Sequence, residues 1–296
     1  MNKLNGILLG LLALSTTSWA ATGSDIINAS GVKGGLVVHV GCGDGELTAQ
    51  LRINNRFLVQ GLDTDPGDVA KAKKLLARNG RIGPVSVSTF DGKHLPYADS
   101  MVNLLVCESA VPSSEVLRVL APRGTALLRT GGRGSKPAAG LEGWHIRQKP
   151  RPETIDDWTH YLHSPGNNAV AKDTVVGPPQ HIQWIASPSF ARSHDHLASV
   201  SAMVSSNGRV FSIVDEGSIA FAAAAPRWKL VARDAFNGVR LGDVPIENWE
   251  YHLRDFRSGP ADIARRLVAV GDVVYVTPGY GKPVVALDAA TGKTLK

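Results

Sequence analysis

Apolar and polar positions follow two different patterns along the chain. Between residues 36 and 130, short β-branched and aliphatic runs alternate with segments whose apolar positions have a helical period. This alternation is typical of a parallel sheet covered by helices. The predicted fold class of this half is therefore an α/β doubly wound, Rossmann-like sheet. Its predicted strands are LVVHV, RFLVQGLD, PVSVSTF, MVNLLVCE and GTALLRT.

Two helices are predicted within this alternation. The stretch PGDVAKAKKLLARNG has Pro66 in a plausible first turn, apolar residues on one side and Gly80 at its end, as expected for a helix with both termini marked. The stretch SSEVLRVLAPRG predicts a shorter helix that begins at Ser113 or Ser114 and is stopped by Pro122.

The pattern changes after residue 132. The segment GGRGSKPAAGLEG is rich in glycine and proline, and we interpret residues 133–155 as a linker. Residues 156–296 contain short β-rich runs without a strong helical period, so this half is predicted to be all-β. Its predicted strands are QHIQWIAS, GRVFSIVD, WKLVARDA, RLVAVGDVVYVTP and PVVALDAATGK.

Two passages of the second half resemble each other. Each begins at a turn glycine, Gly208 or Gly271, and each later continues through a strand into an Asp-to-Gly turn, at Asp234 or Asp288. Such repetition is typical of propeller blades, although two unrelated hairpins with common turn chemistry would also produce it. Since propellers typically have about 4 to 8 blades, we expect the chain to be part of a longer protein.

The first 20 residues have the pattern of a secretory signal peptide, with Lys3 before the apolar run ILLGLLAL and small residues in SWA. We therefore expect a periplasmic or secreted protein with no membrane span after the signal is removed. The only cysteines are Cys42 and Cys107. They follow neighbouring predicted strands, so both a disulfide and a pair of buried thiols remain open.

The net charge of +6 lies in the first half, because residues 1–150 contain 17 Lys and Arg against 11 Asp and Glu, while residues 151–296 contain 15 of each. The basic residues form no stripe with interleaved aromatics. The charge therefore indicates a solvated surface, and no nucleic-acid partner is expected.

A glycine cluster follows the first predicted strand. Gly41, Gly43 and Gly45 allow the backbone to come close to a ligand at a helix start, but Glu46 stands where the dinucleotide pattern requires glycine. Asp63 ends the second strand 22 residues after Gly41, close to the offset at which a carboxylate meets ribose hydroxyls. The turn therefore predicts a nucleoside ligand rather than plainly NAD.

Other polar residues leave alternatives open. Asp91, after the third strand, could accept a hydrogen bond from an adenine amino group or cap its own turn. In the second half, two His-containing clusters could chelate a metal or be solvated residues at the rim, and no metal site is predicted from the number of ligands. The clusters are His160 with His163, and His194 with Asp195 and His196.

These motifs together resemble the class I S-adenosylmethionine-dependent methyltransferases. VVHVGCGDGELTAQL resembles their glycine-rich motif, GLDTDPGDVAKAKK the second strand with its ribose acid, FDGKHLPYADSMVNLLVCE the adenine loop and fourth strand, and EVLRVLAPRGTALL the last helix and fifth strand. The resemblance implies a methyltransferase-like domain over residues 30–132, with S-adenosylmethionine as its implied cofactor. The residues that would bind this cofactor are Gly41, Cys42, Gly43, Asp63, Thr64, Asp91, Gly92 and Glu108.

Two departures from that family are visible. His39 occupies the position, two before the first glycine, where the family usually has an acid that helps to bind the methionine amine, and an imidazole is a poor partner for an ammonium group. The family's sheet also continues into an antiparallel hairpin, whereas here a linker is expected, so the wall that faces the substrate is predicted to be missing. No catalytic residue is identified.

The second half resembles PQQ-like β-propellers. LVAVGDVVYVTPGYGKPVVALDAATGKTLK resembles one blade repeat, and DDWTHYLHSPGNNAV resembles the segment that precedes such propellers. No quinone-binding set is identified, so PQQ is not expected in residues 156–296, and the expected partner there is a small-molecule or protein ligand. The favoured function is methyl transfer by an exported two-module protein. The alternatives are a non-enzymatic binding propeller with a degenerate methyltransferase fold and a PQQ-dependent dehydrogenase-like protein.

Overall fold

The computed structural model describes residues 21–175, 177–178, 181–189, 199–220, 224–249 and 261–296. The predicted signal peptide and the cluster His194, Asp195 and His196 lie outside the described residues. Among the described residues, no helix has the length and apolar character that crossing a membrane requires.

The first region is built on one seven-stranded mixed sheet, with strand order β3-β2-β1-β4-β5-β7-β6. Strands β1 to β5 are parallel and the last two are antiparallel. This topology confirms the predicted doubly wound α/β sheet and places the reversal of strand order at β1 and β4. The strands are β1 (Gly35–Val40), β2 (Phe57–Asp63), β3 (Val85–Thr89), β4 (Val102–Cys107), β5 (Leu120–Leu128), β6 (Lys136–Pro137) and β7 (His145–Gln148).

Helices cover both faces of this sheet. Three of them share one apolar core with alternate residues of the strands, and the fourth packs through Val116 and Val119 into the core on the opposite face. The helices are α1 (Gly23–Ser30), α2 (Glu46–Leu51), α3 (Pro66–Arg78) and α4 (Ser113–Val119).

The boundaries of α3 and α4 follow from local residues. Pro66 occupies the first turn of α3, as predicted. Asp65, which was not predicted as a cap, accepts a hydrogen bond from the backbone N–H of Gly67 at 2.7 Å. Helix α4 begins at Ser113 but ends at Val119, earlier than predicted, because strand β5 already begins at Leu120.

The prediction that residues 133–155 form a linker is wrong for the part that enters the sheet. Strand β7 pairs with β5 from Leu128–His145 to Thr125–Gln148, and β6 pairs with β7. The antiparallel hairpin expected to be missing is therefore present. Strands of two and four residues are too short for a periodicity signal, and burial of Trp144 in the core supplies apolar stabilisation that a glycine-rich composition does not suggest.

The second region contains two antiparallel sheets. The first has the order β11-β10-β9-β8 and the second the order β12-β13-β14, and Phe211, Trp228, Leu267 and Val274 belong to the one core that joins them. A 3₁₀ helix (Ala261–Arg266) precedes the second sheet. The strands are β8 (Val200–Ser206), β9 (Arg209–Asp215), β10 (Trp228–Asp234), β11 (Arg240–Pro245), β12 (Leu267–Val270), β13 (Val273–Val276) and β14 (Val285–Asp288).

One predicted strand of this region is wrong. Within QHIQWIAS, residues 181–187 form no strand. Trp184 instead lies against Gly238 and donates its indole N–H to the Ala235 carbonyl at 3.0 Å. This indole covers a turn of the neighbouring sheet, whereas Ile182 and Ile185 of the same segment are exposed.

The two Asp-to-Gly turns predicted from the sequence repeat are present and have the same design. Gly238 N–H donates to the Asp234 carbonyl at 3.0 Å, and Gly292 N–H donates to the Asp288 carbonyl at 2.8 Å. Both turns meet the amino ends of the strands of the first region. Asn237 donates to the Met101 carbonyl at 2.8 Å, and the Arg56 guanidinium donates to the carbonyls of residues 290 and 291. The opposite, carboxyl ends of the parallel strands lie away from this contact.

Candidate functional site

The turn after β1 crosses the end of β2. Gly41, Gly43 and Gly45 have φ angles of 80°, 51° and 86°, the left-handed region that glycine adopts without penalty. The N–H groups of Gly41 and Cys42 both donate to the Leu62 carbonyl, at 2.9 and 3.2 Å. These bonds bring the start of α2 beside the carboxyl end of β2.

The three glycines face different surroundings. A Cβ atom on Gly41 would lie 3.0 Å from the Ser109 hydroxyl oxygen, and one on Gly45 would lie 2.7 Å from the Ala72 Cβ. A Cβ on Gly43 would have no atom within 4 Å. Gly41 and Gly45 therefore permit close packing, whereas Gly43 presents bare backbone to open space.

Asp63 points its carboxylate at this turn. Its Oδ2 accepts the Gly43 N–H at 2.9 Å, and its Oδ1 accepts the Asp65 N–H at 3.1 Å. The carboxylate thus faces the glycine turn and also orders the start of α3. Because each carboxylate oxygen has two lone pairs, both oxygens can accept a further hydrogen bond from a ligand.

Asp91 serves its own turn. Its Oδ1 accepts the N–H groups of Lys93 and His94 at 2.8 and 2.6 Å, and its Oδ2 lies 3.0 Å from His94 Nδ1. Hydrogen bonding with His94 and Lys93 holds the pKa of Asp91 well below its usual range. Of the two predicted roles, capping of the turn is the one these contacts carry out.

Thr64 and Gly92 lie together beside these carboxylates. A Cβ on Gly92, whose φ is 77°, would lie 3.1 Å from Thr64 Cγ2. The ends of β2 and β3 are therefore adjacent, as the predicted site requires.

The two cysteines are buried free thiols, and no disulfide joins them. Burial raises the pKa of both Cys42 and Cys107 to about 12, and for Cys42 the charge of Asp63 adds to the effect. The Cys42 side chain is part of the apolar core, and the Cys42 N–H donates to the Leu62 carbonyl. The predicted contact of Cys42 with a cofactor would therefore be made by neither the side chain nor the N–H.

Glu108 lies one residue beyond β4, where its N–H donates to the Val40 carbonyl at 2.9 Å. Its Oε2 lies 3.5 Å from Nε2 of His39, which is fully buried in β1, and its Oε1 lies 3.9 Å from Nε of Arg129. The contact with His39, and then the charges of His39 and Arg129, hold the pKa of Glu108 below its usual range against the effect of burial.

Arg129, which lies near Glu108, and Trp144, which lies against Arg129, were not predicted as site residues. The Arg129 guanidinium stacks over the ring of Trp144 at 4.5 Å, a cation–π distance. A sequence signal existed for Arg129, because it lies near the carboxyl end of the predicted fifth strand GTALLRT. Trp144 had no comparable signal, since it stood in the segment interpreted as a linker.

His160 and His163 do not meet a common ligand. His163 Nε2 lies 2.6 Å from Asp156 Oδ2, and His160 Nδ1 lies 2.8 Å from the Thr159 hydroxyl. The part of the chain that the structure describes contains no group of three or more His, Cys, Asp or Glu suited to a metal ion. The segment instead joins the two sheets, since Ser205 N–H donates to the Trp158 carbonyl and Ala269 N–H donates to the Thr159 carbonyl.

Residues 37–132 match the protein family described as a methyltransferase domain. The match spans β1 to β5 with the glycine turn and Asp63. Together with the strand order of the sheet, it shows a methyltransferase-like domain in the first region. No curated protein matches the chain.

Several solved structures are similar to this region. A candidate S-adenosyl-L-methionine-dependent methyltransferase from Methanococcus maripaludis has 19% identity and a TM-score of 0.39, over 45% of this chain and 85% of that protein. The YcgJ protein of Bacillus subtilis has 23% identity and a TM-score of 0.31, over 36% of this chain and 48% of its own. Geranyl diphosphate methyltransferase in complex with SAM has 16% identity and a TM-score of 0.32, over 36% and 46% of the two chains.

Proposed function

We propose that the first region binds S-adenosylmethionine at the carboxyl ends of β1, β2 and β4 and transfers its methyl group to an acceptor. The observation that supports this most directly is the hydrogen bond from Gly43 N–H to the Asp63 carboxylate. This bond joins the backbone of the turn to the acid of the neighbouring strand at the carboxyl edge of the sheet, where nucleoside cofactors bind in doubly wound sheets.

The residues present fit a nucleoside cofactor. Gly43 leaves open space where any side chain would stand, Asp63 has lone pairs for ribose hydroxyls, and Thr64 and Gly92 lie at the next strand ends. When bound, S-adenosylmethionine supplies an electrophilic methyl group. The contribution of the chain would then be to bind and orient, since correct positioning can supply much of the rate enhancement for such a transfer.

Calorimetric titration of the full chain with S-adenosylmethionine and S-adenosylhomocysteine tests this proposal. Asp63→Ala should weaken binding about 10- to 150-fold, because loss of a charged acceptor costs about 1.5–3 kcal/mol. Asp68→Asn, which removes an acid on α3 that pairs with Lys71 at 2.7 Å, is the matched control and should bind as the wild type does. Absence of binding to the wild-type chain at millimolar ligand would contradict the proposed function and leave only the methyltransferase-like fold.

For the second region we propose two blades of a PQQ-like propeller. The four-stranded antiparallel sheet in sequential order, the second sheet packed against it and the paired Asp-to-Gly turns support this, because consecutive strands form each propeller blade. A crystal structure with the two sheets arranged radially about one axis would agree, and a closed two-sheet sandwich would contradict it. A ligand or protein partner on this region, and the absence of bound PQQ, remain predictions.

We also propose that the protein is exported, on the strength of the signal-peptide pattern of residues 1–20. Intact-mass measurement of protein recovered from the periplasm or medium of an expressing bacterium should give a chain that begins at Ala21. Recovery of the uncleaved chain from the cytoplasm alone would contradict export.

A further inference from the structure

An acid is absent from the end of β1 but present at the neighbouring end of β4. His39 has no accessible surface, so it cannot itself contact a ligand. Its Nδ1 lies 2.8 Å from the Thr48 hydroxyl, and within the described structure its Nε2 lacks a partner with full hydrogen-bond geometry. The nearest acidic atom to this Nε2 is Oε2 of Glu108, at 3.5 Å.

Glu108, in contrast, reaches the surface. Its side chain is 36% exposed, while its backbone is fixed beside the glycine turn by the bond to the Val40 carbonyl. The next residue, Ser109, contacts Gly41 of that turn. A ligand that extends from the glycine turn towards β4 would therefore meet the Glu108 carboxylate.

The surroundings of Glu108 favour its ionised form, because they lower the pKa of this carboxyl group. His39 approaches one oxygen from the core and Arg129 the other at 3.9 Å. The Arg129 guanidinium stacks on the Trp144 ring, and the 3.9 Å between Arg129 Nε and Glu108 Oε1 is too long for a hydrogen bond. Since a carboxylate can accept about four hydrogen bonds, Glu108 keeps the capacity to accept from a cationic group in the crevice.

We propose that Glu108, positioned by the buried His39, binds the ammonium group at the amino-acid end of the cofactor, so that the acid missing from β1 is supplied by β4. This inference rests on the proposed function of the same site. An ammonium donates up to three hydrogen bonds, and those made to a carboxylate are stronger than those between neutral groups.

Two ligands that differ only at that end test the inference by calorimetry on the full chain. S-adenosylhomocysteine carries the amino-acid end, and 5′-methylthioadenosine has the same thionucleoside without it. Glu108→Gln should weaken binding of the first about 10- to 100-fold and leave binding of the second within about twofold. Glu108→Asp, which keeps the charge, should recover part of the loss. His39→Asn should also weaken the first ligand selectively, by a smaller factor.

The outcomes separate this inference from the proposed function. Asp63→Ala serves as the comparison, because it should weaken both ligands. Equal weakening of both ligands by Glu108→Gln, or unchanged binding of S-adenosylhomocysteine, would overturn the role of Glu108 while leaving the site in place. If neither ligand binds the wild-type chain, the proposed function fails, and the inference fails with it. Thermal unfolding of each variant would show whether it is folded, and an unfolded Glu108→Gln would be replaced by Glu108→Ala in the same comparison.

Discussion

The two ends of the seven-stranded sheet hold polar residues in opposite situations. At the amino ends, polar side chains of the sheet and of the second region form hydrogen bonds with each other. Asn103 donates to the buried Asp234 carboxylate at 2.7 Å, and Asn237 donates to Asn103 at 2.6 Å. At the carboxyl ends, Gly43 faces open space and Glu108 reaches solvent. Saturated polar groups mark the end that holds the two regions together, and spare bonding capacity marks the end suited to a ligand.

The largest expected effect is at the saturated end. Asp234→Ala removes the acceptor of the Asn103 side chain and of the N–H groups of Phe236 and Asn237, leaving three partly buried donors without this partner. The free energy of unfolding should fall by about 4 kcal/mol, as measured by urea denaturation. Asp288→Ala, at the corresponding position of the other turn, is the control and should cost only about 1 kcal/mol, because the groups that its carboxylate accepts from, the N–H and hydroxyl of Thr291, are exposed. Equal losses would contradict the contrast between the two turns.

Within the glycine turn, substitution of Gly45 should mainly lower stability, and substitution of Gly43 should mainly lower cofactor binding. Gly45→Ala places a Cβ 2.7 Å from the Ala72 Cβ at a left-handed φ of 86°, and should lower the free energy of unfolding by about 3 kcal/mol. Gly43→Ala meets no atom and should cost about 1 kcal/mol, yet it should abolish cofactor binding. Thermal unfolding and calorimetry on both variants test this pair. A Gly43→Ala variant that binds normally would show that the turn serves packing only.

A structural ion pair on α4 should give the protein an acid-sensitive contribution of about 2 kcal/mol. The hydrogen bond from Arg118 lowers the pKa of Glu115 from 4.5 to about 2, so this contribution is present above pH 4.5 and is lost as the pH falls towards 2. Urea denaturation across that range should show a shallower acid loss for Glu115→Gln, with Glu142→Gln as an exposed control. Cofactor affinity at neutral pH should stay unchanged. An identical acid profile for wild type and Glu115→Gln would contradict the role of the pair.

The smallest expected effect concerns the alkylation of the two buried thiols. With a pKa of about 12 and almost no exposure, Cys42 and Cys107 should resist alkylation in the folded chain and react in the unfolded one. Mass spectrometry after iodoacetamide treatment at neutral pH would show no adduct, then two after denaturation. A missing pair of thiols in the denatured chain would instead indicate a disulfide.

More of the fold of the first region than of the second could be predicted from the sequence. Helix α3 was predictable because Pro66 and Gly80 mark its two ends, and strand β9 was predictable from a β-rich run that begins after the turn glycine Gly208. The β6–β7 hairpin was not, because pairing with β5 stabilises strands too short and too rich in glycine to show a period. Residues 181–187 were misassigned because their run of apolar residues resembles a strand, although Trp184 packs over a turn and Ile182 and Ile185 are exposed.

The candidate site could likewise be predicted from the sequence only in part. The glycine turn and Asp63 were predictable, since adjacent strand ends meet at one edge of a parallel sheet. The role of each glycine was not, because only the packed structure shows that Gly45 faces Ala72 and Gly43 faces open space. The contact of Glu108 with His39 joins residues of two strands, and no local pattern encodes it.

Hydrogen–deuterium exchange of the full chain with and without S-adenosylhomocysteine tests the central claim most directly. If the ligand occupies the carboxyl ends of the strands, peptides that contain residues 41–45, 63–65 and 108–109 should gain protection. Peptides that contain residues 31–34 and 234–238, at the amino ends, should exchange as before. Protection confined to the amino ends, or no change at saturating ligand, would contradict the assignment of the site.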